Sequence, residues 1–247
     1  MLNQPTLEKL HALRLRGMAE AWTAQSKNPK LGQLAFDERF AMIVDAEYQA
    51  RDNRKLAKLL RDAQFRFPEA CVEDVEPNPA RGLEKSLLRQ LATCTWVTEH
   101  LNITVTGATG VGKSYLACAL GQAACRKREP VLYRRLPRLL DELALARADG
   151  TYSRALTKLA KASVLILDDL GLGHLTEPQR HDILEVLEDR YGCASTIVTS
   201  QLKSEEWHRW IGDPSLADAI LDRLVHNAYK VALTGPSRRK NRKATTN

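Results

Sequence analysis

The chain has 247 residues, 44% apolar and 27% charged, with a formal net charge of +7. That length carries one large domain or a main domain with a smaller one, and the composition excludes a disordered or fibrous chain. No apolar run approaches the roughly 18 residues of a membrane span, the N-terminus lacks the basic-then-apolar pattern of a secretory signal, and the five cysteines (Cys71, Cys94, Cys118, Cys125, Cys193) form no C-x-x-C pair. A cytoplasmic chain with reduced thiols is expected, with no membrane partner, no zinc and no disulfide framework.

Near the N-terminus, Leu7, Leu10 and Leu13 recur at helical spacing and predict a helix over 5–24. Asn28-Pro-Lys-Leu-Gly32 breaks it. A second helix is expected from about Asp37 to Arg66, with Phe36, Phe40, Ile43 and Val44 on one face and Leu56, Leu59 and Leu60 continuing it. Arg51, Arg54, Lys55 and Lys58 in its polar middle have two readings, phosphate contacts or a solvated face beside Asp52 and Asp62, and the second is preferred. Residues 1–66 thus form a small helical domain. Residues 67–82, with three prolines and an acidic cluster, read as a linker. After a short helix, Leu83–Thr95, Trp96 is expected as a buried anchor rather than a base contact.

The stretch Ile103-Thr-Val-Thr-Gly107-Ala-Thr-Gly-Val-Gly112-Lys113-Ser114 organises the rest. A β-branched strand runs into Gly107-x-x-x-x-Gly112-Lys113-Ser114, the phosphate-binding loop pattern. Its glycines let backbone N–H groups turn inward toward phosphate oxygens, and the helix beginning near Lys113 adds the positive end of its dipole. Gly107, Ala108, Thr109, Gly110, Val111, Gly112, Lys113, Ser114 and Tyr115 are therefore the candidate nucleotide contacts. Lys113 would reach the β- and γ-phosphates of ATP, and the Ser114 hydroxyl would ligate Mg²⁺. The amphipathic helix from Tyr115 to Cys125 completes strand–loop–helix.

Pro130–Tyr133 reads as a second strand, and Leu136–Ala148 and Ser153–Lys161 as helices. Val164-Leu-Ile-Leu-Asp168-Asp169 is a buried parallel strand delivering carboxylates at its C-terminal end, where ligands sit in open α/β sheets. Some 55 residues beyond the phosphate loop this is a Walker B pattern: Asp168 would hold Mg²⁺, mostly through water, and Asp169 would orient or deprotonate the attacking water. A helix over Pro178–Tyr191 precedes a strand, Ser195–Gln201, that ends in polar residues placed to sense the γ-phosphate. The helix Asp218–Val225 exposes Arg223, and Lys230–Leu233 closes the sheet. This alternation requires a parallel sheet with helices on both faces, over residues 83–236.

Charge is unevenly placed. Residues 1–90 carry 15 basic and 13 acidic side chains, residues 91–236 carry 17 of each, and residues 237–247 carry five basic and none acidic. The basic tail has two readings, a nucleic-acid contact and a solvated terminus.

Together these pieces resemble the AAA+ ATPases and, within them, the DnaC/IstB-like group, which pairs bacterial helicase loaders with the ATPase helper of an insertion-sequence transposase. Gly107–Ser114 looks like Walker A, Leu165–Asp169 like Walker B, Thr199-Ser200-Gln201 like sensor 1 and Leu221-Asp-Arg223-Leu like the arginine-finger box. Leu13-x-x-x-Gly17-Met18-Ala19 and Glu47-x-x-x-Arg51 are similar to the N-terminal region of IstB proteins, and Gly235-Pro-Ser-Arg238-Arg239 to that group's closing motif. Two departures stand out: Asp168-Asp169 replaces the usual Asp-Glu, as the group commonly shows, and sensor 1 must be Gln201 or Ser200 in place of Asn. The resemblance implies a five-stranded P-loop AAA+ core without a C-terminal lid domain. It makes Arg223 an arginine finger acting on a neighbour's ATP, hence a ring or helical homo-oligomer. It also turns the helical insertion after the second strand toward DNA. Arg134, Arg135, Arg138, Arg154 and Lys158, with Arg238 and Arg239, become DNA-contact candidates, and Tyr133 and Tyr152 possible stacking partners. A solvated basic helix is the competing reading.

The expected activity is ATP hydrolysis to ADP and phosphate, used as a switch by a protein that engages double-stranded DNA and recruits a cognate transposase. A replicative helicase loader on single strands is the alternative. A small-molecule P-loop kinase would leave Arg223, Gln201 and the N-terminal helices without a role.

Overall fold

The structure, a computed structural model, describes residues 4–238. The chain divides into two compact units, one up to Lys58 and one from Leu59.

The first unit is helical: α1 (Gln4–Ala12), α2 (Arg16–Lys27), a 3₁₀ turn at Pro29–Gln33, and most of α3 (Phe36–Ala63). The single helix expected over 5–24 is two. Arg14 takes a left-handed φ of 59° and the Leu15 N–H reaches back to the Leu10 carbonyl at 2.8 Å, a helix-terminating 6→1 bond. Leu13, counted on the apolar face, is exposed instead. Gly17 of α2 lies against α3: a Cβ there would sit 2.7 Å from the Ala46 carbonyl oxygen and 2.8 Å from Glu47 Cα, so only glycine allows the crossing. Glu47 is buried at that crossing and accepts from the Met18 N–H, Arg51 and Arg54. The Arg51 hydrogen bond holds its carboxyl below the usual range despite burial. The two N-terminal sequence motifs are thus one packing device. On α3, Ile43 is buried, but Phe36, Phe40 and Val44 are exposed, contrary to the single apolar face expected for them.

In the second unit, 3₁₀ turns at Val72–Asp74 and Pro79–Arg81 and helices α4 (Lys85–Ala92) and α5 (Thr95–Thr98) lead to β1 (Asn102–Gly107). Trp96 is buried, its indole N–H on the Leu91 carbonyl, so it anchors the approach to the sheet as expected. Then follow α6 (Lys113–Arg126), β2 (Val131–Arg135), α7 (Leu136–Ala148), α8 (Tyr152–Ala160), β3 (Val164–Leu170), α9 (Glu177–Glu188), β4 (Ser195–Ser200), α10 (Ser204–Ile211), α11 (Pro214–Val225) and β5 (Ala228–Leu233). Helix α10 was not expected from the sequence, because Ser-Glu-Glu-Trp-His-Arg-Trp-Ile buries only Trp207 and Ile211, too few apolar positions to stand out.

The sheet is wholly parallel, in the order β2-β3-β4-β1-β5. It is the expected α/β P-loop core flanked by helices. Val164 to Asp168 and all of β4 are buried, as central parallel strands covered on both faces must be. All strands point the same way, so Gly107, Arg135, Asp168, Asp169 and Gln201 arrive at one edge. No helix among the described residues is long and apolar enough to cross a membrane.

Candidate nucleotide-binding site

At the C-terminal edge of the sheet lies a cleft of about 500 Å³. The loop from β1 to α6 forms its floor. Gly107, Gly110 and Gly112 all hold positive φ, a conformation glycine alone adopts without strain. Thr109 through Tyr115 line the cleft. The Lys113 ammonium is drawn into the loop, donating to the carbonyls of Gly107 at 2.8 Å and Ala108 at 2.9 Å.

Asp168 is fully buried, and four donors reach its carboxylate. Its Oδ1 accepts from the hydroxyls of Ser114 at 2.7 Å and Thr199 at 2.5 Å, and its Oδ2 from the Tyr133 phenol at 2.6 Å and an Arg66 N–H at 3.3 Å. Burial, then the hydrogen bond to Asp168, push the Tyr133 phenol well above its usual range, so it stays a donor. Asp169 breaks the ladder. At φ 66° it sits where the β3–β4 register shifts, and its N–H goes to the Thr199 hydroxyl at 3.2 Å rather than along the strand. Its carboxylate faces the cleft and pairs with Arg135 at 2.8 Å and, more loosely, Arg66 at 3.8 Å. Of the two sensor candidates, Gln201 lines the cleft and accepts from the Thr109 hydroxyl at 2.7 Å, whereas buried Ser200 donates to the Leu170 carbonyl.

The oxygen donors fit Mg²⁺. Ser114 and Asp168 offer one hydroxyl and one carboxylate side by side, and among the described residues no group of three acidic, His or Cys side chains converges on a metal site. A hard cation that takes one or two protein oxygens and completes its shell with phosphate and water suits such a pair.

Arg223 is nowhere near this cleft. Its carbonyl accepts from Asn102 Nδ2 at 2.7 Å, at the start of β1, whereas the phosphate loop leaves the end of that strand. Five residue steps of strand, from Asn102 to Gly107, separate the two, about 17 Å. Its guanidinium is clamped by Glu188, with Asp222 at 3.7 Å and the Tyr191 ring 5.8 Å away.

The DNA candidates fall into two groups. Arg138, Arg154 and Lys158 are exposed on α7 and α8. Arg134 bonds Gln64 and lies 3.6 Å from Glu142, and Arg135 is committed to Asp169. Arg238 lines the nucleotide cleft, and Arg239 lies outside the described residues. Neither tyrosine is a free stacking face: Tyr133 is buried over Asp168, and Tyr152 donates to Asp182 beneath the Arg147 guanidinium, 3.9 Å from its ring centre.

Five cleft residues were not anticipated from the sequence: Arg66, expected at the end of the second helix but lying past the end of α3 at Ala63, and Phe67, Val75, Glu76 and Arg81 from the stretch read as a linker. Their only sequence signal is the acidic and basic residues packed between prolines, which reads as polar loop.

The model of the IstB-like ATP binding protein family matches residues 8–246. The chain belongs to that family. This IstB-like protein is 49% identical over 243 residues to an insertion sequence ATP-binding protein of Sinorhizobium fredii, covering 98% of this chain and 99% of that one. It is 47% identical over 204 residues to the ATP-binding protein of insertion sequence IS1162 from Pseudomonas fluorescens, covering 83% and 88%. Among solved structures, DnaI superposes with a TM-score of 0.58 at 25% identity over 74% of this chain and 93% of that one. The DnaC helicase loader gives 0.56 at 22% over 68% and 99%, a likeness of fold alone.

Proposed function

We propose that this IstB-like protein binds and hydrolyses Mg·ATP as an assembly switch in DNA transposition. The observation that carries the reading is the division of the machinery: Lys113, Ser114, Asp168, Asp169 and Gln201 converge on one end of β1, while Arg223 sits at the other. Lys113 and the loop N–H groups hold the phosphates, Ser114 would ligate the cation and Asp168 would hold it mostly through water, and Asp169 orients water for in-line attack on the γ-phosphorus. A Mg²⁺ ion in that place would supply charge neutralisation for the transferred group. Arg223 cannot serve its own cleft across the length of the strand; in a head-to-tail assembly it meets the neighbour's γ-phosphate and stabilises transition-state charge. ATP then holds the oligomer together and ADP releases it. The insertion-sequence relatives support a transposase as partner. Exposed Arg138, Arg154 and Lys158 on α7 and α8, with Arg239 in the basic C-terminal run, supply duplex phosphate contacts.

Light scattering tests this directly. Large discrete assemblies are expected with duplex DNA and ATP or a nonhydrolysable analogue, and dispersal with ADP. Assembly on single strands alone would favour a helicase-loader function, and a monomer under every condition would remove the shared site. Lys113→Ala takes away two charge-assisted hydrogen bonds to phosphate, roughly 3 kcal/mol, so ATP affinity should fall on the order of 100-fold by fluorescent-nucleotide titration. Unchanged affinity would exclude the loop as the phosphate site. Arg223→Ala should hydrolyse poorly alone and regain activity when mixed with Lys113→Ala chains, because each lacks what the other supplies. No recovery at any mixing ratio would contradict a site built by two copies.

A further inference from the structure

Two segments far apart in sequence wall the mouth of the nucleotide cleft. One is the stretch 74–83, the other the chain leaving β5, residues 233–238. They are stitched together along their length. The Thr234 N–H donates to the Arg81 carbonyl at 3.0 Å, the Thr234 hydroxyl to the Ala80 carbonyl at 3.1 Å, and Arg81 Nε back to the Thr234 carbonyl at 3.3 Å. Gly82, at φ 77°, makes the seam possible, since a Cβ there would lie 1.9 Å from the Ala232 carbonyl oxygen.

Both segments also grip the phosphate loop. Arg81 Nη2 donates to the Val111 carbonyl at 2.8 Å, and the Arg238 N–H to the Gly110 carbonyl at 2.9 Å. A Cβ on Gly110 would strike the Ser237 hydroxyl at 2.2 Å, so that loop glycine makes room for the C-terminal segment as well as for phosphate. At the outer rim an ion pair spans the walls, Arg238 Nη2 to Glu76 Oε2 at 3.0 Å. Burial, and then the neighbouring Arg238 guanidinium, hold Arg81 below its ordinary value. The rim thus gathers two guanidiniums beside a loop shaped for phosphate, with Glu76 balancing the outer one.

We propose that Thr234–Arg238 is a strap that retains the nucleoside triphosphate, that the Glu76–Arg238 pair is its clasp, and that Arg238 therefore serves the nucleotide rather than DNA. The proposal rests on the nucleotide reading of this cleft. On this reading nucleotide leaves by parting the clasp, and a guanidinium on the departing side favours keeping a polyanion. An exposed pair contributes modestly, so the expected change in release rate is about 2- to 5-fold.

The test is stopped-flow release of methylanthraniloyl-ATP from the full chain, with duplex affinity measured in parallel. Arg238→Gln and Glu76→Gln should each speed release about 2- to 5-fold. The exchange Glu76→Arg with Arg238→Glu should return the rate to within about twofold of the parent, since the pair is re-formed with its ends reversed. Raising salt should speed release from the parent and from the exchange, and change the single variants less. Parent-like release in both single variants would overturn the strap, as would duplex affinity falling alone in Arg238→Gln. Faster single variants without recovery in the exchange would overturn the clasp. Lys113→Ala separates the two readings: if it binds nucleotide as the parent does, the cleft assignment itself is wrong.

Discussion

Asp169→Asn should bind ATP within about twofold of the parent and hydrolyse it about 10²–10⁴-fold more slowly, the range a positioned general base contributes. The expectation follows from the backbone as much as the carboxylate. Asp169 holds φ 66°, a left-handed conformation that Asp and Asn tolerate better than longer or branched side chains. Asparagine therefore keeps the register shift, the N–H to Thr199 and the shape facing the cleft, and loses only the charge. Binding survives because Lys113, Ser114 and Asp168 are untouched. The measurement is single-turnover hydrolysis at saturating ATP beside a nucleotide titration, and parent-like turnover would move the water-orienting role to another group. The same backbone gives a physical reason for Asp where most AAA+ chains carry Glu: the shorter acid is the more easily held left-handed.

The largest loss of stability is expected from Arg190→Met. This guanidinium is buried, and desolvation lowers it to about 10, still charged at neutral pH. Its N–H groups go to the carbonyls of Leu159, Ala162 and Ser195 and to the Thr196 hydroxyl, with no carboxylate among these partners. One side chain thus caps the end of α8 and ties the start of β3 to the start of β4. Methionine fills much of the volume but leaves the acceptors without donors. At about 1–3 kcal/mol for an orphaned buried polar group, partly relaxed by water, the net loss should be about 4 kcal/mol. For a chain of this size that is about 10 °C in melting temperature, by calorimetry or circular dichroism. A shift under about 2 °C would mean the carbonyls find other partners.

How much of this was readable in the sequence depended on how local each signal was. The phosphate loop and β3 were legible because strand, glycines and carboxylates sit within a few residues of one another. Arg223 stood out through its neighbours in one helix. The opposite wall of the cleft was not legible. Arg66, Glu76 and Arg81 are brought to it by tertiary contacts with Asp168, Arg238 and Val111, over sequence separations that no periodicity encodes. The pairing of Arg135 with Asp169 was hidden for the same reason: its register partner across β2–β3 is Asp168, a neighbour visible only once the sheet order is known. Arg14 and the exposed Phe36 and Phe40 mark the reverse error, where a regular apolar spacing was read as a buried face that the packing does not use.

The opposed placement of Lys113 and Arg223 along β1 sets the arithmetic of any assembly built on the proposed trans role. An open row of n copies holds n − 1 complete sites and one idle cleft at its end, whereas a closed ring holds n. Turnover per chain should then climb with protein concentration, steeply while dimers are forming, and level off as rows lengthen. An end subunit keeps its nucleotide longest, so a row would shed ADP-bearing copies from its interior while its terminus stays loaded.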